Sequence, residues 1–190
     1  MQNQLVLGED SVSIRSTRSA TQPCSRLEIQ PAKLHEMAIA ANILRSSFEW
    51  YRPFLHEKDM GQHMVDETWG KTEFARRQFY IGRSNDIPVG IVSTQSVEDS
   101  FYIGYLYVYA DQVRRGFGTQ LLNHVRDIAL QERKRGMLLI VHPKATWATN
   151  AYIRYGFECV ATTRKQVLDW HHGWLKPYYE EEFQMYQLLF

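Results

Sequence analysis

Two hydrophobic rhythms alternate along the chain. Residues 101–108, FYIGYLYV, form a run of aromatic and β-branched side chains, the composition of a pleated, half-buried strand. Leu121, Leu122, Val125, Ile128 and Ala129 then recur at helical spacing, with Gln120, Arg126, Gln131 and Arg133 on the other side. That helix is expected to close near Arg135 and Gly136. Upstream, Leu27 to Ile29 reads as a short strand. A helix from Lys33 follows, with Leu34, Met37, Ala38, Ala41, Leu44 and Phe48 on one face, and an aromatic stretch that breaks at Pro53. A second helix is predicted around Met60 to Trp69. Residues 78–83 and 88–93 read as antiparallel strands about a Ser84-Asn85-Asp86 turn. Downstream, the fully apolar run 137–141 predicts a buried strand, 146–155 a helix stopped at Gly156, and 158–163 a further strand. An aromatic, His-containing segment (170–179) and a closing strand (183–190) end the chain.

The resulting order, β-α-α-β-β-β-α-β-α-β-β, predicts an α/β (α+β) architecture: a mixed central sheet of about six to seven strands flanked by about four helices. Residues 1–25 are rich in Ser, Thr and Arg and are expected to form a flexible arm, leaving 26–190 as one folded domain. The size and the 44% hydrophobic content of 190 residues suit that division. A net charge of +1, from 22 basic and 21 acidic residues, provides no broad field for nucleic acid. No apolar run approaches the roughly 20 residues that span a bilayer, so no membrane partner is expected and a cytoplasmic protein is the default. Cys24 and Cys159 suggest no disulfide framework. No metal is expected either, because His171 and His172 are adjacent and lack further ligands at metal spacing.

The chemistry concentrates where the aromatic strand meets the long helix. Leu106-Tyr107-Val108 leads through Val113-Arg114-Arg115 into Gly116-Phe117-Gly118-Thr119. A strand feeding a Gly-x-Gly helix start makes an anion cradle, since the first helical turn presents unpaired N–H groups and the positive end of the macrodipole. Together with a second segment, Ala148, Tyr152, Gly156 and Phe157, these residues resemble the GNAT superfamily of N-acetyltransferases. The first segment is similar to the family's Arg/Gln-x-x-Gly-x-Gly/Ala turn after a Leu-x-Val strand. The second is similar to its Asn-x-x-Ala-x-x-x-Tyr-x-x-x-Gly-Phe signature. Two departures stand out: Val113 replaces the usual Arg or Gln, and Ala145 replaces the Asn. The first predicts weakened rather than absent phosphate binding, because backbone groups make the cradle.

The resemblance implies acetyl-CoA as donor, its pantetheine arm entering beside Leu106, Tyr107 and Val108. Its pyrophosphate would sit on the amides of residues 114–119, with the Arg114 and Arg115 side chains near its phosphates. It implies direct attack by a primary amine in a ternary complex, the Val108 N–H as oxyanion donor and Tyr152 as acid for the departing thiolate. Tyr155 is the fallback acid should the register slip. The family's strand Glu is replaced by Gly104, so a general base is not identified. Glu98 and Asp99 read as turn carboxylates, and a water chain is an equal alternative. Trp50, Tyr51, Trp170 and Trp174, with the carboxylates of Glu49, Asp66 and Glu67, are candidates for the acceptor pocket. Core packing or a homodimer interface is an alternative use of those aromatics. A small-molecule amine is slightly favoured over a protein lysine or N-terminus. A catalytically idle acyl-CoA-binding module and a protein-interaction domain are the rivals.

Overall fold

The computed structural model describes residues 26–63 and 65–190; the expected N-terminal arm and Cys24 lie outside them. Seven strands form one sheet: β1 (Glu28–Pro31), β2 (Gln78–Ser84), β3 (Ile87–Val97), β4 (Ser100–Val108), β5 (Gly136–Val141), β6 (Glu158–Ala161) and β7 (Gln184–Leu189). Their spatial order is β1-β2-β3-β4-β5-β7-β6, with β4–β5 the parallel pair and every other pairing antiparallel. Five helices cover it: α1 (Met37–Tyr51), α2 (Glu67–Arg76), α3 (Phe117–Gln131), α4 (Thr146–Tyr155) and α5 (Arg164–Asp169). This is the mixed α/β fold that the element order predicts.

The amphipathic stripes explain the layering. Leu121, Leu122, Val125 and Ala129 of α3, with Ala148 and Tyr152 of α4, bury one face of the sheet against Val89, Val92, Phe101 and Ile103. On the opposite face, Met37, Ala40, Ala41, Ile43 and Leu44 of α1 pack on Phe79, Ile81 and Ile91. The rest of that face is covered by Val167 of α5 and by Leu175, against Tyr102, Leu138 and Met185.

Several boundaries differ from expectation, among them the first helix, which begins at Met37 rather than Lys33, and β3, which runs on to Val97. Three more have a clear local reason. The second helix begins at Glu67, because the Asp66 carboxylate accepts the Trp69 N–H (2.7 Å) and caps it there. The preceding residues Glu57–His63 form a 3-10 segment instead. The long helix stops at Gln131, four residues before Arg135. Arg133 turns left-handed (φ 57°) and the Lys134 N–H bonds back to the Ala129 carbonyl (2.8 Å), as in a Schellman cap. Gly136 has a different task, since a Cβ there would collide with the Leu188 carbonyl of neighbouring β7. Finally, β6 ends at Ala161 and Thr163 becomes the N-cap of α5, in a reciprocal capping box with Gln166.

What positions the site is a break in the sheet. β4 and β5 pair only at Ser100↔Gly136, Phe101↔Met137 and Tyr102↔Leu138. Beyond Tyr102, the register of β4 against β3 shifts, with Ser93 opposite Tyr105 and Thr94 opposite Ile103, so that Gly104 is the extra residue of a β-bulge. A bulge bends its strand, and from there β4 diverges from β5.

Candidate active site

Two cavities open on the divergence from opposite sides. The larger, about 690 Å³, lies between β4, the α3 start and α4; the smaller, about 360 Å³, lies between β4, α2 and the loop before β7. Four residues line both: Tyr51, Leu106, Tyr107 and Tyr152. The two spaces therefore meet at one wall, and each of its tyrosines carries a hydroxyl.

The larger cavity gathers most of the sequence candidates. Leu106, Tyr107, Val108, Val113, Arg114, Gly116, Phe117, Gly118, Thr119, Ala148 and Tyr152 all line it, whereas Arg115 does not. Along β4 the Tyr109 N–H donates to the Val89 carbonyl (2.9 Å) and the Tyr105 N–H to Ser93 Oγ (3.0 Å). Strand alternation therefore turns the Leu106 and Val108 N–H groups the other way, into the opening. At the turn, Arg114 (φ 62°) and Gly116 (φ 78°) are left-handed, an arrangement that converges successive backbone N–H groups into an anion nest. The first intrahelical bond of α3 is Gln120 N–H to the Gly116 carbonyl (3.1 Å), which leaves the N–H groups of Phe117, Gly118 and Thr119 without helical partners. A Cβ placed on Gly118 would meet nothing within 4 Å, so open space adjoins those donors. Backbone donors, space and volume fit an extended phosphate-bearing ligand.

Tyr152 is 9% exposed and meets the Phe157 ring edge-on at 5.7 Å. Burial holds its pKa far above the ordinary phenol value, so it carries its proton throughout the neutral range. Tyr155 instead donates to Asn123 Oδ1 (2.8 Å) and lines neither cavity.

The smaller cavity is an aromatic box containing Tyr51, Trp69, Tyr102, Tyr105, Tyr107 and Tyr178 together with Glu73, Arg77 and Glu180. Burial raises the pKa of Tyr51 and of Tyr105 to about 12, with the Glu180 charge adding to both shifts. Arg77, 8% exposed, donates from Nε to Glu73 Oε2 (2.6 Å) and lies over the rings of Tyr102, Tyr105 and Tyr178 at 5.5, 5.1 and 4.5 Å. Its guanidinium occupies the space a side chain at Gly104 would need.

The remaining acceptor candidates divide. Tyr51 lines both cavities and Trp50 only the larger, where it meets Trp147 edge-on at 6.0 Å. Trp170 and Trp174 line neither. They pack on each other at 6.3 Å, and Trp174 lies against Tyr102 and Tyr178, so it buttresses the wall from behind. Glu49 pairs with Arg52 (3.3 Å), Glu67 with Lys71 (2.7 Å), and Asp66 caps α2, all away from the box. Sequence reasoning missed Trp147, Arg77, Glu73 and Glu180. The spacing of Glu73 and Arg77 was a legible helical i,i+4 pair, but nothing local marked Glu180.

Among the described residues, no group of three or more His, Cys, Asp or Glu side chains could hold a metal ion, and no helix is long and apolar enough to cross a membrane. The sequence profile of the acetyltransferase (GNAT) family matches residues 41–157. No curated protein sequence matches the chain significantly. Among solved structures, it resembles the PaiA N-acetyltransferase of Thermoplasma acidophilum, crystallised with coenzyme A. That pair superposes with TM-score 0.70 at 14% identity, over 87% of this chain and 99% of that one. An acetyltransferase from Thermus thermophilus gives 0.66 at 14% identity, over 89% and 100%. The ribosomal-protein-S18-alanine N-acetyltransferase of Escherichia coli gives 0.60 at 18%, over 86% and 94%.

Proposed function

Because the chain belongs to the acetyltransferase (GNAT) family, we propose that it transfers the acetyl group of acetyl-CoA to the primary amine of a small molecule. The observation that carries this reading is the pair of cavities joined at Tyr51, Leu106, Tyr107 and Tyr152. A two-substrate transfer needs two binding spaces that touch at one point, since direct attack requires the amine nitrogen within about 3–3.5 Å of the carbonyl carbon.

In this reading the larger cavity holds the donor. Backbone N–H groups of Phe117, Gly118 and Thr119 receive the pyrophosphate, with the Arg114 side chain beside it. The inward-facing N–H groups of Leu106 and Val108 hold the pantetheine and the thioester oxygen, stabilising the negative charge that develops there. Tyr152 supplies a proton to the departing thiolate. Burial keeps the Tyr152 phenol protonated at neutral pH, so a proton is in place for the sulfur as it leaves. Val113 need not impair the cradle, because its donors are backbone groups set by the left-handed turns at Arg114 and Gly116. The acceptor enters from the smaller cavity. Its volume of about 360 Å³ sits near the lower end of small-ligand sites, which favours a small amine.

The test is thermal unfolding with and without acetyl-CoA, with NAD as control. At about 100 times its dissociation constant a ligand adds about 2.7 kcal/mol, or about 5–10 °C for a domain of this size. Tyr152→Phe should keep that shift and lose about 100-fold or more in turnover. No shift with acetyl-CoA, or the same shift with NAD, defeats the reading.

A further inference from the structure

We propose that the ring of Tyr51 is the partition that limits the donor's acyl chain to acetyl, and that removing it admits longer acyl-CoA thioesters. The inference rests on the acetyl-transfer reading and names what sets acyl length within it. Tyr51 is the last residue of α1, where Pro53 in the following 3-10 turn, Arg52–Phe54, ends the helix. The α1 stripe packs with Phe79, Ile81 and Ile91 on one face of the sheet. Tyr51 is the exception. Its side chain packs against the core of the other face, the one that contains Ala148 and Tyr152. It crosses where the strands have parted, beyond the last β4–β5 pair, Tyr102↔Leu138.

Ring contacts hold it there from both flanks of the opening. Its centroid stands 6.0 Å from that of Tyr107 on β4. On the other flank it stands 5.4 Å from that of Trp147, in the first turn of α4, which follows β5. Trp147 is itself backed by Trp50 and Phe54, each at 6.0 Å. The ring therefore bridges the opening. Of the four residues that line both cavities, Tyr51 alone comes from outside β4 and α4. Leu106 and Tyr107 edge the opening as strand residues, and Tyr152 belongs to α4.

This arrangement decides what can follow the thioester carbonyl. With the pantetheine along β4, the acyl carbons beyond the carbonyl continue toward the shared wall. A methyl group ends against the Tyr51 ring. A longer chain must displace a ring braced on both sides, and forcing extra methylenes into a packed site is unfavourable. Behind the ring lies the smaller cavity, so without it the chain gains about 360 Å³ of largely aromatic space. Each methylene buried there is worth about fourfold in affinity. Such a chain also occupies the acceptor's side, so the decisive readout is binding of the donor, not turnover.

The experiment titrates acetyl-CoA and hexanoyl-CoA by calorimetry into wild type, Tyr51→Phe, Tyr51→Ala and Tyr51→Leu, with thermal unfolding alongside. Wild type should bind acetyl-CoA more tightly than hexanoyl-CoA. Tyr51→Ala should shift that ratio toward hexanoyl by about tenfold or more, since at least two of the four added methylenes become buried. Tyr51→Leu, which withdraws the ring but keeps an apolar side chain, carries the same test if the alanine variant does not fold. Tyr51→Phe keeps the ring and should keep the wild-type ratio. Taking the ratio cancels a general weakening of the site, which is all that a merely structural role would produce. A wild type that binds hexanoyl-CoA as tightly as acetyl-CoA overturns the proposal. So does a ratio that stays within about threefold of wild type in the folded ring-deleted variant, because chain length is then set elsewhere. A shift in Tyr51→Phe as large as that variant's overturns it too, since the hydroxyl and not the ring is then responsible. Absence of stabilisation of wild type by acetyl-CoA defeats the parent reading instead, and the proposal with it.

Discussion

At the scale of single residues, Gly104 shows how a sequence position can mislead when read alone. Aligned on the motif, it reads as a missing carboxylate. In the fold it is an occupied position, because the Arg77 guanidinium fills the volume a side chain would take. The occupant comes from the end of α2, 27 residues upstream, and is held by Glu73 and three tyrosine rings. No local pattern in the strand could reveal it. Gly104→Ala should therefore displace Arg77 from Glu73 and cost about 3–5 kcal/mol, the range for breaking a buried pair. Urea denaturation measures this directly. A loss below about 1 kcal/mol would mean that the guanidinium moves aside freely. Tyr152, by contrast, was legible, because its place in a helical signature fixes the side of α4 it occupies and hence its direction toward the sheet.

At the scale of elements, the start of α3 separates folding from binding. Its position was readable from the Gly-x-Gly turn and the apolar stripe, whereas its end was not, since nothing in Glu132 or Arg133 announces a left-handed cap. Gly118 is helical and a Cβ there has open space, so the helix does not need glycine at that position. Replacing it by leucine should leave stability unchanged or raise it by up to about 1 kcal/mol, since glycine is a poor helix former. The new side chain extends into the larger cavity, so, if that cavity holds the donor as proposed, the same variant should lose most of its acetyl-CoA thermal shift. A variant that keeps the full shift would place the phosphates elsewhere. The opposite case is the joint of α1 to the sheet, where Glu36 accepts from the Lys33 N–H (2.8 Å) and from Arg83 Nη2 (2.6 Å). The backbone bond first, then Arg83, hold its pKa below the ordinary carboxylate value. A lowered folded-state pKa stabilises above the unfolded pKa of about 4.3 and is lost as pH falls through the folded value. Glu36→Gln should thus cost about 0.5–1 kcal/mol at neutral pH, allowing for solvent screening, and nothing near pH 2. A cost independent of pH in chemical denaturation would remove the charge from the account.

At the scale of the whole molecule, the paired cavities exist because the sheet parts and three separate segments close over the gap. The order of strands was legible in outline, since a hairpin, a crossover helix and an apolar strand allow few topologies. Which aromatics form the cavity and which only support it was not, because Trp170 and Trp174 have the same composition signal as Tyr102 and Tyr178 and differ only in which side of the wall they occupy. The closing segments meet at Glu181 and Glu182. Lys58 reaches Glu181 Oε2 (2.6 Å), and His56, Lys144 and His142 stand 3.6, 3.4 and 3.6 Å from Glu182. His142, immediately after β5, is fully buried with its ring stacked on Phe54 at 5.7 Å and edge-on to Phe183 at 6.0 Å. Burial lowers its pKa from the usual 6.5, against the opposing pull of Glu182. An imidazole kept neutral in the fold binds fewer protons than in the unfolded chain, so stability falls as pH drops below about 6.5, by at most about 1.4 kcal/mol per pH unit. His142→Phe keeps the stacking and removes the titration. The stability gap between variant and wild type should shrink, or reverse, between pH 7 and 5, and stay level from pH 7 to 8. A gap that holds constant across the whole range would show that the segments are fastened by packing alone and that the buried imidazole plays no part in their acid sensitivity.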